Sequence, residues 1–75
     1  MARSSRYLVV CLKNVGYDVS LEKRKIYIAI PDVSAAKHGL IRVVDESGDD
    51  YLYPSEYFAS VNLPTSVRRA VLTAA

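Results

Sequence analysis

The sequence predicts a mainly β fold in which five short strands wrap into a small barrel and a short helix follows. Three observations support it. Apolar, β-branched runs are short, each ends at glycine, proline or a polar turn, and apolar residues at helical spacing come only near the C-terminal end. The chain has 75 residues, of which 51% are hydrophobic. A domain of this size needs most of its apolar residues for one core, which leaves little for a deep pocket.

The first two predicted strands differ in pattern. Residues 7–12 are apolar on both faces, as expected of a strand covered on two sides, and the turn residues 14–16 follow. In residues 25–30 the isoleucines alternate with other residues and so share one face, until Pro31 ends the ladder. The sequence therefore predicts a central first strand and a half-buried second strand.

The middle of the chain combines a helical turn with a hairpin. Asp32 is suited to cap a single turn over residues 33–37, and Gly39 provides the left-handed residue that ends it. Residues 40–44 predict the third strand, and the polar residues 45–50 predict a tight turn.

Two more strands follow the hairpin. Residues 51–53 predict the fourth strand, and Pro54 ends it. Residues 57–61 predict a fifth short strand after a 3₁₀ turn. Five short strands with brief connections are typical of a small barrel.

A terminal helix is predicted after Pro64, because four apolar residues recur there at helical spacing, namely Val67, Ala70, Val71 and Ala74. A helix this short is marginal alone, so it must dock on the barrel or on a partner. We therefore expect a single domain over residues 1–75, with the barrel at about 6–62 and the helix at about 64–74.

One segment resembles a motif of a known family. The run Tyr53-Pro54-Ser55-Glu56-Tyr57-Phe58 is similar to the Pro-Ser-x-Tyr turn that joins the last two strands of SH3 domains. Residues 16–18, 21–27 and 41–52 look like the Tyr-Asp motif, the turn into the second strand and the distal hairpin of that family. The resemblance covers roughly residues 7–62. It implies an SH3-like barrel with a tyrosine-rich groove for proline-rich peptides.

The chain departs from SH3 domains at two points. In SH3 domains a tryptophan lines the groove, and this chain has no tryptophan. Residues 18–22 are also much shorter than the acidic loop with which SH3 domains recognise a basic residue beside the prolines. A second resemblance, to a group of small uncharacterised bacterial proteins, implies no activity and rests on Pro31-Asp32, Ala35-Ala36, His38-Gly39, Asp45-Glu46-Ser47-Gly48 and Tyr51-Leu52-Tyr53-Pro54.

The tyrosines are the strongest candidates for binding. The chain has six, and those near the turns are expected to meet on one side of the barrel. A tyrosine ring is rigid and amphipathic, which suits recognition of a protein partner, but such rings also cover a barrel's own core. The sequence favours a non-enzymatic module for protein or peptide binding, with contact residues Tyr17, Tyr51, Tyr53, Pro54 and Tyr57.

The basic residues offer an alternative function, which is RNA or DNA binding. Residues 1–42 carry eight basic and three acidic side chains, whereas residues 43–67 carry five acidic and no basic ones. Candidate phosphate contacts are Lys23, Arg24, Lys25, Arg68 and Arg69, together with Arg6. The same charges would also be explained if carboxylates of residues 45–50 met residues 23–25 across the barrel or in a second copy, so a homodimer stays open.

Catalytic and metal-binding patterns are missing from the sequence. The chain has one histidine, His38, and one cysteine, Cys11, and we expect both to be structural. Asp49 and Asp50 are neighbours in sequence, so in a strand they point to opposite faces and cannot act together as a carboxylate pair. The acidic hairpin lacks the ligand spacing of a calcium loop. We therefore expect no enzyme activity, no cofactor and no metal.

The location of the protein is predicted from the same composition. No apolar run approaches the roughly 20 residues that cross a bilayer. One cysteine cannot form an internal disulfide. We therefore expect a cytoplasmic protein without a membrane partner.

Overall fold

The computed structural model describes residues 6–74 and confirms the mainly β fold with five strands and a C-terminal helix. Its elements are β1 (Tyr7–Cys11), β2 (Ile26–Ile30), α1 (Val33–Ala36), β3 (Leu40–Val44), β4 (Asp50–Pro54), a 3₁₀ turn (Ser55–Tyr57), β5 (Phe58–Ser60) and α2 (Thr65–Ala74). The helix begins at Thr65, one residue after Pro64, whose carbonyl accepts the N–H of Arg68 at 2.9 Å. The predicted domain limits, residues 1 and 75, lie outside the described residues.

The strands form one antiparallel sheet in the order β4-β3-β2-β1-β5. β4 and β5 therefore stand at the two ends of the sheet and are joined by the 3₁₀ turn. Closure of this sheet into a barrel stays a prediction.

Local turn chemistry sets the connections between strands. Asp32 caps α1, since its Oδ1 accepts the backbone N–H of Ala35 at 2.9 Å. Gly39 ends the helical turn at a φ of +70°, and Gly48 turns the β3–β4 hairpin at a φ of +90°. Both positions need the left-handed backbone that glycine adopts without steric cost.

The core lies on one face of the sheet. Residues paired across an antiparallel ladder share a face, and Val9 pairs with Tyr27 as Ala29 pairs with Val43. All four are buried. The whole core cluster comprises Val9, Cys11, Leu21, Tyr27, Ala29, Val43, Tyr53 and Phe58.

The isoleucine face of β2 is turned away from this core and toward α2. Val71 of α2 lines a cleft together with Leu8, Ile26 and Ile28. Ile28 is buried, whereas Ile26 remains exposed. Val71 of the apolar stripe therefore faces the sheet across this cleft, although Val67 is exposed and the side chain of Ala74 lies outside the part of the chain that the structure describes. Among the helices of residues 6–74, none is long and apolar enough to cross a membrane.

The long connection between β1 and β2 folds back onto the sheet. Leu21, in the middle of this connection, is 1% exposed and belongs to the core cluster. Its backbone N–H donates to the carbonyl of Tyr17 at 2.8 Å, and its carbonyl accepts Asn14 Nδ2 at 3.1 Å. The connection is therefore an ordered part of the fold, held by one apolar anchor.

We expect Leu21→Ala to lower the free energy of unfolding by about 3 kcal/mol, because it leaves a cavity in a core that has few other side chains. Val19→Ala is the matched control: Val19 lies in the same connection but is 91% exposed, and its loss should cost under about 0.5 kcal/mol. Urea unfolding of both variants measures the difference. Similar midpoints for the two would contradict an anchoring role for Leu21.

Candidate functional site

Three of the five predicted contact residues meet in one aromatic cluster. The rings of Tyr17 and Tyr53 lie 4.9 Å apart between centroids and are nearly perpendicular, at 86°. Tyr57 joins from the other side, 6.1 Å from Tyr17, and its hydroxyl donates to the carbonyl of Val15 at 3.0 Å. The bend near Gly16 and the turn after Pro54 therefore lie together, as the sequence predicted.

The five residues differ in how much they offer to a partner. Tyr17 is 38% exposed and Tyr51 is 52% exposed. Tyr57 and Pro54 are half-buried. Tyr53 is only 3% exposed and belongs to the core cluster. Tyr53 therefore supports the surface from below, and we use the name tyrosine face for Tyr17, Tyr51, Pro54 and Tyr57 above it.

A cleft of about 420 Å³ opens within this region. We call it the tyrosine cleft, and its lining residues are Tyr17, Ser20, Asp45, Ser47, Tyr51, Leu52 and Tyr53. Pro54 and Tyr57 lie outside its lining. The walls are aromatic and the remaining polar groups are two hydroxyls and one carboxylate, which is a combination that suits binding of a side chain.

The carboxylate of the cleft is Asp45, which is 6% exposed. Its Oδ1 accepts the backbone N–H of Ser47 at 2.8 Å and the Ser47 hydroxyl at 2.5 Å. Its Oδ2 accepts the hydroxyl of Tyr53 at 2.5 Å. Among residues 6–74 no basic side chain forms an ion pair with Asp45. The charge is therefore stabilised by hydrogen bonds instead of a counter-charge.

These hydrogen bonds shift the pKa values of Asp45 and Tyr53. Burial alone would raise the pKa of Asp45, but the bonds from Ser47 and Tyr53 outweigh it and lower that pKa below its ordinary value. Burial, followed by the hydrogen bond to the Asp45 carboxylate, raises the pKa of Tyr53 to about 12. Tyr53 is therefore a neutral hydrogen-bond donor at neutral pH, and Asp45 is an anion.

Sequence reasoning missed Asp45, which it placed in a solvated turn. The local part of its role had a signal, because an aspartate two residues before a serine is suited to form a turn through its side chain. The bond to Tyr53 had none, since it depends on the pairing of β3 with β4.

The acidic neighbour of Asp45 holds the basic run at residues 23–25. Glu46 Oε2 accepts Lys25 Nζ at 2.6 Å and the hydroxyl of Tyr27 at 2.5 Å. The hydrogen bond to Glu46 raises the pKa of Lys25, and the hydrogen bonds from Lys25 and Tyr27 lower the pKa of Glu46. One hairpin carboxylate, Glu46, and one residue of the basic run, Lys25, thus meet within one copy of the chain, which is one of the two arrangements that the sequence left open.

Arg42 forms two further ion pairs. Arg42 Nε lies 2.9 Å from Asp32 Oδ2, and Arg42 Nη1 lies 3.5 Å from Asp50 Oδ2. The backbone hydrogen bond from Ala35 and the side-chain bond from Arg42 lower the pKa of Asp32. Of the two contacts of Arg42, only the one with Asp50 joins the basic part of the chain to the acidic part, because Asp32 and Arg42 both belong to residues 1–42.

The other candidate phosphate contacts lie on two elements. Lys23 and Arg24 are exposed in the connection before β2, where the Arg24 N–H donates to the carbonyl of Cys11 at 2.7 Å. Arg68 and Arg69 are exposed on α2, and Arg68 Nη2 donates to the carbonyl of Arg6 at 2.8 Å. Lys25, by contrast, is drawn into an ion pair with Glu46.

The remaining reactive side chains are occupied locally. His38 Nδ1 lies 3.0 Å from the carbonyl oxygen of Ser34 in α1. The Cys11 thiol is buried and donates to the carbonyl of Lys13 at 3.1 Å, and burial raises its pKa. Within the part of the chain that the structure describes, no three His, Cys, Asp or Glu side chains are placed to hold a metal ion.

We expect Tyr53→Phe to lower the free energy of unfolding by about 2 kcal/mol at pH 7, because it removes a hydroxyl that donates to a buried carboxylate. Tyr51→Phe is the matched control, since it removes a hydroxyl from an exposed ring of the same strand and should cost under about 0.5 kcal/mol. Equal stability of the two variants in urea at pH 7 would contradict the bond to Asp45.

The same pair of variants tests the pKa of Asp45. A lowered folded-state pKa means that the carboxylate contributes stability above its unfolded pKa of about 3.9, and that this contribution is lost as the pH falls through the folded value. The deficit of Tyr53→Phe should therefore be full at pH 7 and shrink in acid. A deficit independent of pH between neutral and strongly acidic solution would show that Asp45 is not its source.

Comparisons of the chain with protein-family models, with curated proteins and with solved structures found no match. The resemblance to SH3 domains therefore stays a prediction, and the function is argued from the geometry of the tyrosine face.

Proposed function

We propose that the chain is a non-enzymatic, SH3-like binding module that contacts a protein or peptide partner through the tyrosine face. The observation that carries the proposal is the tyrosine cleft, in which the perpendicular Tyr17 and Tyr53 rings form a corner and the exposed Tyr51 adds a third ring. Such a corner accepts one side chain of an extended segment, and its size falls at the lower end of ligand pockets.

The chemistry of the face favours a protein partner. Tyrosine binds with large area and loses little conformational entropy, which is why it is enriched at the centres of interfaces. A second copy of this chain is one candidate partner.

The SH3 resemblance supports binding of a protein or peptide in general and does not specify a polyproline ligand. Tyr57 and Pro54 belong to the Pro-Ser-x-Tyr turn, and Tyr57 is a member of the aromatic cluster. The sequence has no tryptophan to complete a polyproline groove, so we do not extend the proposal to that ligand. The single cysteine of the chain supports a cytoplasmic setting.

Nucleic-acid binding is the alternative, through Lys23, Arg24 and Lys25 or through Arg68 and Arg69. The exposure of Lys23 and Arg24 favours it. The ion pair of Lys25 with Glu46 opposes it, because a phosphate would have to compete with that carboxylate.

We expect no saturable binding of single-stranded RNA or duplex DNA at low salt, measured by fluorescence anisotropy with labelled oligonucleotides. Binding that weakens steeply with salt, by about one unit of logarithmic slope for each phosphate contact, would instead establish the alternative. Loss of that binding in Lys23→Gln would then locate it on the basic run.

Peptides selected from a random phage library should bind the tyrosine face. We expect Tyr51→Ala to weaken a selected peptide about tenfold, as the loss of an aromatic contact at an interface does. Tyr51 is a safer probe than Tyr53, because Tyr53 is part of the core. Val33→Ala is the matched control, since Val33 is also exposed but lies in α1.

The binding is measured by titration calorimetry and mapped by amide chemical shifts of the full chain. Failure to select any peptide, or peptides that bind Tyr51→Ala and Val33→Ala equally well, would contradict the proposed function.

A further inference from the structure

The protein pairs its own lysines with tyrosine rings outside the tyrosine cleft. Lys13 Nζ lies 5.8 Å from the ring centroid of Tyr57, and Lys25 Nζ lies 5.6 Å from that of Tyr27. A cation within about 6 Å of an aromatic face is attracted by the negative charge of that face. Among residues 6–74, no lysine or arginine occupies this position over Tyr17 or Tyr51.

The charge of the tyrosine cleft has a single sign. Among the described residues that line it, Asp45 is the only charged one. Its Oδ2 accepts one hydrogen bond, from Tyr53, and a carboxylate oxygen has room for a second donor. The other polar groups in the lining, Ser20 and Ser47, can also accept hydrogen bonds. The cleft therefore offers aromatic faces and acceptors, and no cation of its own.

We propose that the tyrosine cleft is a site for a cationic side chain, lysine or arginine, supplied by the protein partner. The inference rests on the proposed function and adds the chemistry that the partner must present. The cationic group lies against the rings of Tyr17 and Tyr51 and provides a positive counter-charge to the Asp45 carboxylate. The aliphatic stem of the same side chain packs along the exposed Tyr51 ring.

A neutral side chain of similar length fits this site less well. It gains the apolar contacts with the rings, but it leaves the Asp45 carboxylate without a counter-charge. The neutral amide of glutamine also lacks the attraction to the ring faces. The site therefore discriminates by charge, and charge is the property that the experiment must vary.

The test is an amide chemical-shift titration of the full chain with three small probes. N-acetyl-argininamide and N-acetyl-lysinamide carry the cation, and N-acetyl-glutaminamide is the neutral control. We expect at least one cationic probe to shift the amides of Ser47 and Tyr51 in a saturable manner, with weak affinity on the order of millimolar. The neutral probe should bind about fivefold more weakly or not at all.

Two substitutions of Tyr51 separate the effect of its aromatic face from the effect of its apolar bulk. Tyr51→Leu keeps an apolar side chain but removes the aromatic face, and it should weaken the cationic probe several-fold. Tyr51→Phe keeps the face and should bind as the natural chain does. Tyr51 is half exposed, so both variants should retain the fold, which the unchanged amide spectrum of the core confirms. Equal shifts with all three probes, or undiminished binding by Tyr51→Leu, would overturn the proposal.

The selected peptides distinguish the proposed cation site from the proposed binding function. Replacing each lysine or arginine of a bound peptide by glutamine should reduce its affinity about tenfold. Peptides that bind the tyrosine face equally well after this change would overturn the cation site and leave the binding module standing. Cationic probes that bind the cleft while no peptide can be selected would support the site and count against the module.

Discussion

One buried carboxylate determines how the hairpin end of the molecule is built. Burying Asp45 would cost several kcal/mol if it had no partners, and the three hydrogen bonds that it accepts remove this cost. Because the donors come from the turn at Ser47 and from Tyr53 in β4, the carboxylate fixes how β3, the turn and β4 meet. The Tyr53 ring contacts Tyr17 and Phe58. The same anion therefore positions the floor of the tyrosine cleft.

The next residue extends this control to the long connection between β1 and β2. The backbone N–H of Glu46 donates to the carbonyl of Ser20 at 3.1 Å, while its carboxylate accepts Lys25 and Tyr27. The Tyr27 hydroxyl also accepts the backbone N–H of Glu22 at 2.7 Å. Two adjacent acidic residues thus hold two parts of the chain, one through a tyrosine of β4 and the other through a tyrosine of β2. In both cases a core tyrosine carries its polar end to a carboxylate, as buried tyrosines require.

The parts of the fold that could be predicted are those with local causes. The cap at Asp32 and the left-handed glycines depend on residues within one turn of each other, so the sequence specifies them directly. Which tyrosines are buried and which are exposed has no local cause. Tyr51 and Tyr53 are two residues apart and share a face of β4, so periodicity cannot separate them. The Tyr53 ring packs edge-on against Tyr17, which is distant in sequence, and its hydroxyl reaches Asp45 across the β3–β4 hairpin.

The tyrosine cleft and the core share a residue, and this determines which part of the site can vary. Tyr53 and Asp45 line the cleft and are joined by a hydrogen bond that the fold also needs, so a change at either would alter stability together with the proposed binding. Tyr51 lies on the exposed part of β4, so a change there would alter the proposed binding without a comparable loss of stability. The walls are also fixed in advance, because Tyr17 packs edge-on against Tyr53 and its N–H donates to the carbonyl of Asn14 at 2.8 Å. A partner that enters such a cleft loses its own freedom but does not have to order the protein, so even a small contact area can give measurable affinity.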